Sequence, residues 1–511
     1  MLNSLDSGLL PVVFLILLAI SAMSCLILLY SKTPLSFTHI HVGLSALPPF
    51  VALLALFFNN EPIVVGPLHF NALTWLVAFF VLTVSLIVQR FCIHYLLGDS
   101  SYRKYFALLT FTTIADSVAW LSNDLRLLLL CWGATLLGLT LLIGLKKQWE
   151  VARNAAKTCG LLFAFSWGIL TIAIVWLTQA TNHWQLSNVL TSESLLQLDS
   201  WERTCISLLI IVAVVIPAAQ FPFQRWLLDS VVAPTPISAI MHAGIVNAGG
   251  IVLTLFAPIF QGNLVQIILL VFSSISVLIG TGIMLVQVDY KRQLVGSTIA
   301  QMGFMLIQCA LGAFLAAIIH AVLHGLFKST LFLQAGSVFQ NNVSSFNTKK
   351  PLSLLTIITG SLVGILVGIG YWLTSPEEVY QLVSAFILGW SVSLAWIQLV
   401  AFGLSRTGRV AGFFILVGGG SVYFFIHHLL HSVLDGTVQK SIQSPFIAAI
   451  LIVLMLLFAS VVAILLTRKH LSRFYAIIYL WLVRLGEPHN DVIESHPSYL
   501  TQMFSQGGKL R

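Results

Sequence analysis

Apolar runs of roughly 17 to 25 residues recur from one end of this 511-residue chain to the other. Runs of that length fit a bilayer crossed by an α-helix and far exceed the roughly 9 to 11 residues of a barrel strand. With no water in the hydrocarbon core, each backbone N–H and C=O must be satisfied within its own segment, so the spans fold as helices. Composition agrees, since 58% of residues are hydrophobic and 8% charged, against about 25% charged in an ordinary soluble domain. The chain cannot cover a fully water-facing surface. It reads as an all-α polytopic membrane protein, and secreted, fibrous and disordered classes are excluded.

The six cysteines lie well apart in or beside apolar stretches, with no CxxC pair, so they form neither a disulfide framework nor a metal cluster and serve as packing residues. The net charge of +8 resides mostly in short loops and reports topology rather than nucleic-acid binding. A cleavable signal peptide is not expected, because the first apolar run is long and follows Asp6 rather than a basic stretch.

Reading apolar length against polar punctuation predicts about fifteen spans, near 8–30, 38–58, 71–97, 104–122, 125–145, 155–180, 203–228, 236–257, 263–287, 293–312, 313–340, 352–373, 378–404, 409–433 and 445–467. The second is the weakest, because Pro48 and Pro49 interrupt it. Loops after odd-numbered spans hold fourteen Lys and Arg residues, and loops after even-numbered spans hold only Arg126, Arg203 and Lys440. Basic loops stay cytoplasmic, so the N-terminus is expected outside and the C-terminus inside. The tail from Arg468 contains RFYAIIYLWLVRLGE, an amphipathic stretch suited to the membrane interface or a docking surface.

Lys328 lies well inside a span, between HAVLHGLF and STLFLQAG, and an ionisable group at that depth marks a functional site. With His320 and His324 it recurs every four residues, placing all three on one helix face with steps of roughly 6 Å. Imidazole changes protonation near neutral pH and desolvation disfavours a charged lysine, so the stripe can exchange protons. Two other readings remain open: a structural polar seam, and a zinc site, which needs a further ligand such as Cys309 from another helix.

Pro217, Pro222, Pro234 and Pro236 crowd the seventh and eighth spans, so the seventh is expected to be broken. A broken helix at membrane depth lines a hydrated cavity or is buried in protein, and transporters put such breaks at their sites. His242 follows on the next helix as a relay member. Asp116 is the carboxylate clearly inside a span, either neutral and hydrogen-bonded or an acidic proton-path partner; Arg225, at the edge of the broken helix, is a counter-ion or a cytoplasmic anchor. His427, His428 and His431 group on a late span without a distinct reading.

The blocks AAQFPFQRWL, APTPISAIMHAGIVNAGG, DYKRQLVGSTIAQMGFM and HAVLHGLFKSTLFLQAGS resemble the antiporter-like proton-conducting membrane subunits, which include large subunits of respiratory complex I and of Mrp antiporters. The resemblance runs from about Asn71 to Arg409. It implies two inverted five-helix repeats containing broken helices, divided here as 1–103 (N-terminal helices), 104–257 and 258–408 (the repeats), 409–467 (C-terminal helices) and 468–511 (cytoplasmic tail). It also implies a proton path through His242, His320, His324 and Lys328. The HAGIVNAGG wording and the absence of a long lateral helix after the last span are most similar to the DabB branch, membrane subunits of two-component inorganic carbon transporters. That likeness implies a bacterial plasma-membrane location, no cofactor in this chain, and a DabA-like peripheral partner carrying zinc. The partner would perform CO2 hydration, so this chain is not itself expected to be an enzyme.

Three family positions differ: the glutamate after the fifth-helix tryptophan falls at Gly133, the lysine of the first broken helix falls at Pro217, and 378–404 holds no lysine. The expectation is a proton-conducting subunit with a reduced or rebuilt first half-channel, Asp116 and Arg225 being the residues available for rebuilding and Pro217 and Arg225 for gating. The alternatives are a subunit of a respiratory oxidoreductase or cation antiporter, and a non-conducting membrane anchor.

Overall fold

The hydropathy pattern resolves into helices whose ends coincide with the polar punctuation. The computed structural model describes residues 8–58, 61–260, 263–335, 354–374, 380–396, 406–434 and 473–487, together with 436–438, 450 and 452–457. In chain order the elements are α1 (Leu9–Leu29), α2 (Phe37–Ser45), α3 (Leu47–Phe58), β1 (Ile63–Val65), β2 (Leu68–Phe70), α4 (Ala72–Tyr95), α5 (Tyr102–Leu121), α6 (Leu125–Ile143) and α7 (Glu150–Thr181). They continue with α8 (Leu186–Val189), α9 (Ser192–Leu195), α10 (Ser200–Val215), α11 (Arg225–Asp229), α12 (Thr235–Ala243), α13 (Ala248–Leu255), α14 (Asn263–Val286), α15 (Tyr290–Ala310) and α16 (Phe314–Ala335). The last are α17 (Leu354–Thr374), α18 (Tyr380–Trp396), α19 (Arg406–Leu434) and α20 (Arg473–Gly486).

Among the described residues nine helical stretches are long and apolar enough to cross a membrane. The weak second span is one of them, because Pro48 and Pro49 fall in the first turn of α3, where a missing N–H costs nothing. The expected span at 445–467 lies largely outside the described residues. One small element departs from the all-helical reading: β1 and β2 pair antiparallel about Gly66, whose φ of +59° is the left-handed conformation a tight turn requires.

Burial sorts the helices into layers. The stretch Thr235–Leu255 is 94% buried and Thr407–Leu434 only 6%, so α12–α13 form the bundle axis and α19 an outer wall. Helices α14 and α15 meet backbone to backbone: a Cβ at Gly280 would lie 2.5 Å from Ala300 N, and one at Gly296 would lie 2.6 Å from Met284 N. Such close approach is the membrane substitute for a hydrophobic driving force between helices. It holds α15 in place as the face against which α16 lies. The tail helix α20 packs on the end of α14 through Leu482 at Gly282, leaving Phe474, Ile477 and Leu480 exposed, as an interfacial amphipathic helix requires.

Candidate functional site

His320, His324 and Lys328 run down one face of α16, and α15 supplies partners for two of them. Lys328, only 1% exposed, donates from Nζ to Leu294 O at 2.9 Å. The same carbonyl accepts from the Thr298 hydroxyl at 3.0 Å, and Thr298 Oγ1 lies 3.0 Å from His242 Nδ1. The hydroxyl proton is committed to Leu294, so Thr298 accepts from Nδ1–H and leaves His242 Nε2 as the basic nitrogen. The ring of His242 stacks on Phe332 at 4.1 Å. Lys328 and His242, on different helices, are thus tied to one turn of α15.

The upper end of the stripe is held differently. His320 sits between two glutamines, with Nδ1 3.1 Å from Gln308 Oε1 and Nε2 3.0 Å from Gln301 Oε1. Both carbonyl oxygens facing the ring satisfy an imidazolium, and rotation of one amide satisfies the neutral ring. The pair therefore solvates either protonation state. His324 lies between, its ring 6.2 Å from that of His320, too far for a direct hydrogen bond. It is 6% exposed, within electrostatic reach of His320, Lys328 and His242, and among the described residues neither of its nitrogens has a hydrogen-bond partner. Buried polar atoms without partners are rare and mark places where water enters. Waters at His324 would join the glutamine end of the stripe to the lysine end.

Among the described residues two helices break near α15 and α16. The expected break follows α10. Pro217 cannot donate to Ala213 O, which accepts from Ser166 Oγ at 2.6 Å instead. Ile216 O accepts from the Trp226 indole at 2.7 Å, Ala218 O from Gln220 Nε2 at 2.7 Å, and Ser276 Oγ accepts from Phe221 N at 3.0 Å. Ala219 turns the chain with φ +52°. Of the two ways to tolerate a break, this one is mainly burial in protein, the freed carbonyls being met by these side chains and by the backbone N–H groups of Ala218, Ala219 and Gln220. The second break, between α12 and α13, carries no proline at the kink and was not expected. At Gly244 the helix kinks, Asn247 Nδ2 donates to Ala243 O, and a Cβ at Gly244 would lie 2.9 Å from Ile240 O.

Asp116 faces this second break. It is 8% exposed, accepts from the Trp120 indole at 2.9 Å, and lines a cavity of about 20 Å³ with Ser85, Thr112, Thr135 and Gly244. That is room for about one water, and Thr112 Oγ1 is left without a partner there. Phe80 and Ala243 wall the cavity off from α16, since a Cβ at Gly325 would lie 2.2 Å from Phe80 Cζ and 2.6 Å from Ala243 O. Arg225, by contrast, is exposed at the first turn of α11, and no contact among the described residues joins it to Asp116. Gly133, the family's glutamate position, abuts Trp167: a Cβ there would lie 2.7 Å from the indole nitrogen, which donates to Leu129 O at 2.8 Å. The indole occupies the space where an acidic side chain would extend. The late histidines lie on α19, where the Tyr423 and His427 rings stand 5.8 Å apart.

Sequence reasoning missed Thr298, Gln301 and Gln308, although polar residues spaced by three and then seven positions in α15 were a legible signal of a face turned to the stripe. It also missed His41, fully buried between Ser24 Oγ at 2.8 Å and Thr110 Oγ1 at 3.0 Å. Replacing Gln301 or Gln308 with leucine leaves one ring nitrogen of a charged His320 unsatisfied. Each change is expected to slow proton flux about tenfold in proteoliposomes, the penalty for an unmet buried hydrogen bond. Flux at the wild-type rate in both would show that the glutamines only fill space.

With this geometry in view, comparison with known proteins is direct. The family model for the NADH:quinone oxidoreductase/Mrp antiporter transmembrane region matches residues 122–408, a stretch that contains His242 and the whole stripe but not Asp116 or His41. A Bacillus anthracis protein named "Probable inorganic carbon transporter subunit DabB" is 57% identical over 99% of this chain and 100% of its own length. The chain belongs to the DabB family. A Bacillus subtilis DabB of the same name is 56% identical over 99% of this chain and all of its own length. The fold is that of antiporter-like subunits more widely. A chain of the Mrp complex from Dietzia sp. superposes with a TM-score of 0.64 at 20% identity, covering 97% of this chain. This chain spans 59% of that Mrp chain. A chain of an archaeal membrane-bound sulfane sulfur reductase gives 0.59 at 18% identity, over 94% of this chain and 97% of that one. As a DabB family member the chain is a multi-pass membrane protein, and its relatives are named as transporter subunits.

Proposed function

We propose that this chain is the proton-conducting subunit of an inorganic carbon transporter in the bacterial plasma membrane, with its N-terminus outside and its C-terminus in the cytoplasm. Protons pass along Lys328, His324, His320 and His242, and their inward flow drives CO2 hydration to bicarbonate on a DabA-like peripheral partner that carries the zinc. The observation that carries this reading is His324, a buried imidazole set among three other titratable groups, with no fixed partner among the described residues. A structural seam would have satisfied both its nitrogens. The amphoteric clamp around His320 supports the same reading, because it stabilises either charge state. Asp116 and its small cavity are the residual first half-channel. An inward proton releases about 2.3 kcal/mol per 100 mV of membrane potential, enough to bias a near-equilibrium hydration.

A respiratory or cation-antiporter role is the rival, and the indole beside Gly133 speaks against it, since the first half-channel lacks the space for its acidic group. Affinity purification of the tagged chain from native membranes, with mass spectrometry and zinc analysis, tests the proposal. One soluble zinc-bearing partner is the expected result. A suite of flavin and iron-sulfur subunits would overturn it.

A further inference from the structure

A second polar cavity lies away from the relay, where the ends of α4 and α6 meet the starts of α5, α7, α12 and α15. It measures about 460 Å³, and its polar lining includes Tyr95, Asp99, Tyr105, Lys146 and Lys291. Charge there is unbalanced. Asp99 is already occupied, with Oδ2 3.1 Å from Lys146 Nζ and Oδ1 accepting from Ser101 N at 2.8 Å. Lys291, partly buried, forms no ion pair among the described residues. The nearby carboxylate of Asp289 is exposed, accepts from Arg292 N at 2.9 Å, and does not line the cavity.

Two further features point to an anion. Pro234 lines the cavity at the start of α12, and Trp149 does so at the start of α7; neither helix has a side-chain cap. The positive end of the α12 macrodipole is therefore directed into the cavity, that of α7 being partly offset by Glu150 in its first turn. Tyr105 is fully buried and its hydroxyl has no hydrogen-bond partner among the described residues. Tyr95 donates to Thr235 Oγ1 at 3.2 Å, whereas the Tyr105 hydroxyl is left to donate into the cavity. Uncompensated lysine charge, a helix N-terminus and an unused hydroxyl form a cradle for negative oxygen atoms.

We propose that this cavity binds a small oxyanion, with Lys291 supplying the uncompensated charge and Tyr105 a hydrogen bond. The anion chemistry stands on the cavity alone, and its assignment to bicarbonate rests on the carbon-transport reading. Occupancy has a consequence for the relay. His242 lies seven residues along α12 from Thr235, roughly 10 Å, within the range over which unit charges interact inside a protein. A bound anion favours a protonated His242, so the site links anion occupancy to the proton path.

The test uses the full-length chain in phosphatidylcholine nanodiscs, titrated separately with 13C-bicarbonate and inorganic phosphate, with native mass spectrometry recording any retained phospholipid. Saturable binding is expected, weakened about tenfold or more in Lys291→Gln and retained in Lys291→Arg. A phospholipid that wild type retains and Lys291→Gln loses would support the site and assign its anion to a lipid headgroup. No saturable binding of either anion and no retained lipid, or binding unchanged in Lys291→Gln, would overturn it. Proton flux measured on the same preparations separates the two readings: flux through Lys328 without anion binding removes this site and leaves the relay intact.

Discussion

Lys328→Met is expected to cut proton flux by about a hundredfold or more, the scale of losing an acid–base group from a transfer pathway, while the protein stays folded. The lysine donates to Leu294 O, and that carbonyl keeps its bond from Thr298 when the ammonium is gone. Methionine fills a similar apolar volume, and exchanging a buried charge for a well-packed apolar side chain is often neutral or stabilising, by about 1–4 kcal/mol. Function and scaffold should therefore part company. The measurement is pH-gradient-driven dye quenching in proteoliposomes alongside thermal unfolding, with bicarbonate accumulation scored in cells that depend on the pair. Full flux in a folded Lys328→Met would end the relay proposal. Loss of fold together with flux would show the lysine to be structural.

Gly325→Val is expected to lose flux and stability together. Its Cβ would meet the end of the Phe80 ring, which is cleared only by moving the whole side chain, and the Ala243 carbonyl, which is fixed in the backbone. Overpacking against backbone costs about 1–3 kcal/mol or more, and the relief open to the helix is to move α16 away from α12. That movement separates His324 from His242 and opens the wall between the stripe and the Asp116 cavity. Gly325→Ala is expected to show the same effect at smaller amplitude, because its methyl still overlaps the carbonyl. Thermal unfolding and flux on the pair of variants check this. Wild-type flux in Gly325→Val would mean that close contact of α12 and α16 plays no part in conduction.

The two residues lie three positions apart and differ in how far sequence could read them. Lys328 was legible because the cost of burying an ammonium in a span is a property of the segment alone. Gly325 was not, since a glycine in an apolar helix becomes informative only when the neighbour it admits is known. The same division runs through the relay. His320 and His324 followed from four-residue spacing, whereas the partners of His320, Gln301 and Gln308, and the partner of His242, Thr298, depend on which face of α15 turns inward. The break after α10 was readable from Pro217 and Pro222, since proline removes a donor wherever it stands. The kink at Gly244 was not, because a glycine tolerates a regular helix equally well.

By itself the sequence determined that this is a helical membrane protein, roughly where its spans lie, and that one helix bears a histidine and lysine stripe. Those features follow from hydropathy and helical periodicity, which act within a segment. Tertiary structure alone decided that His324 has no partner among the described residues, that Trp167 fills the space at Gly133, that Asp116 faces a second break, and that Lys146, Lys291 and Tyr105 share one cavity. Each of these depends on two or more helices approaching within a few ångströms, a distance set by which small side chains let their backbones touch.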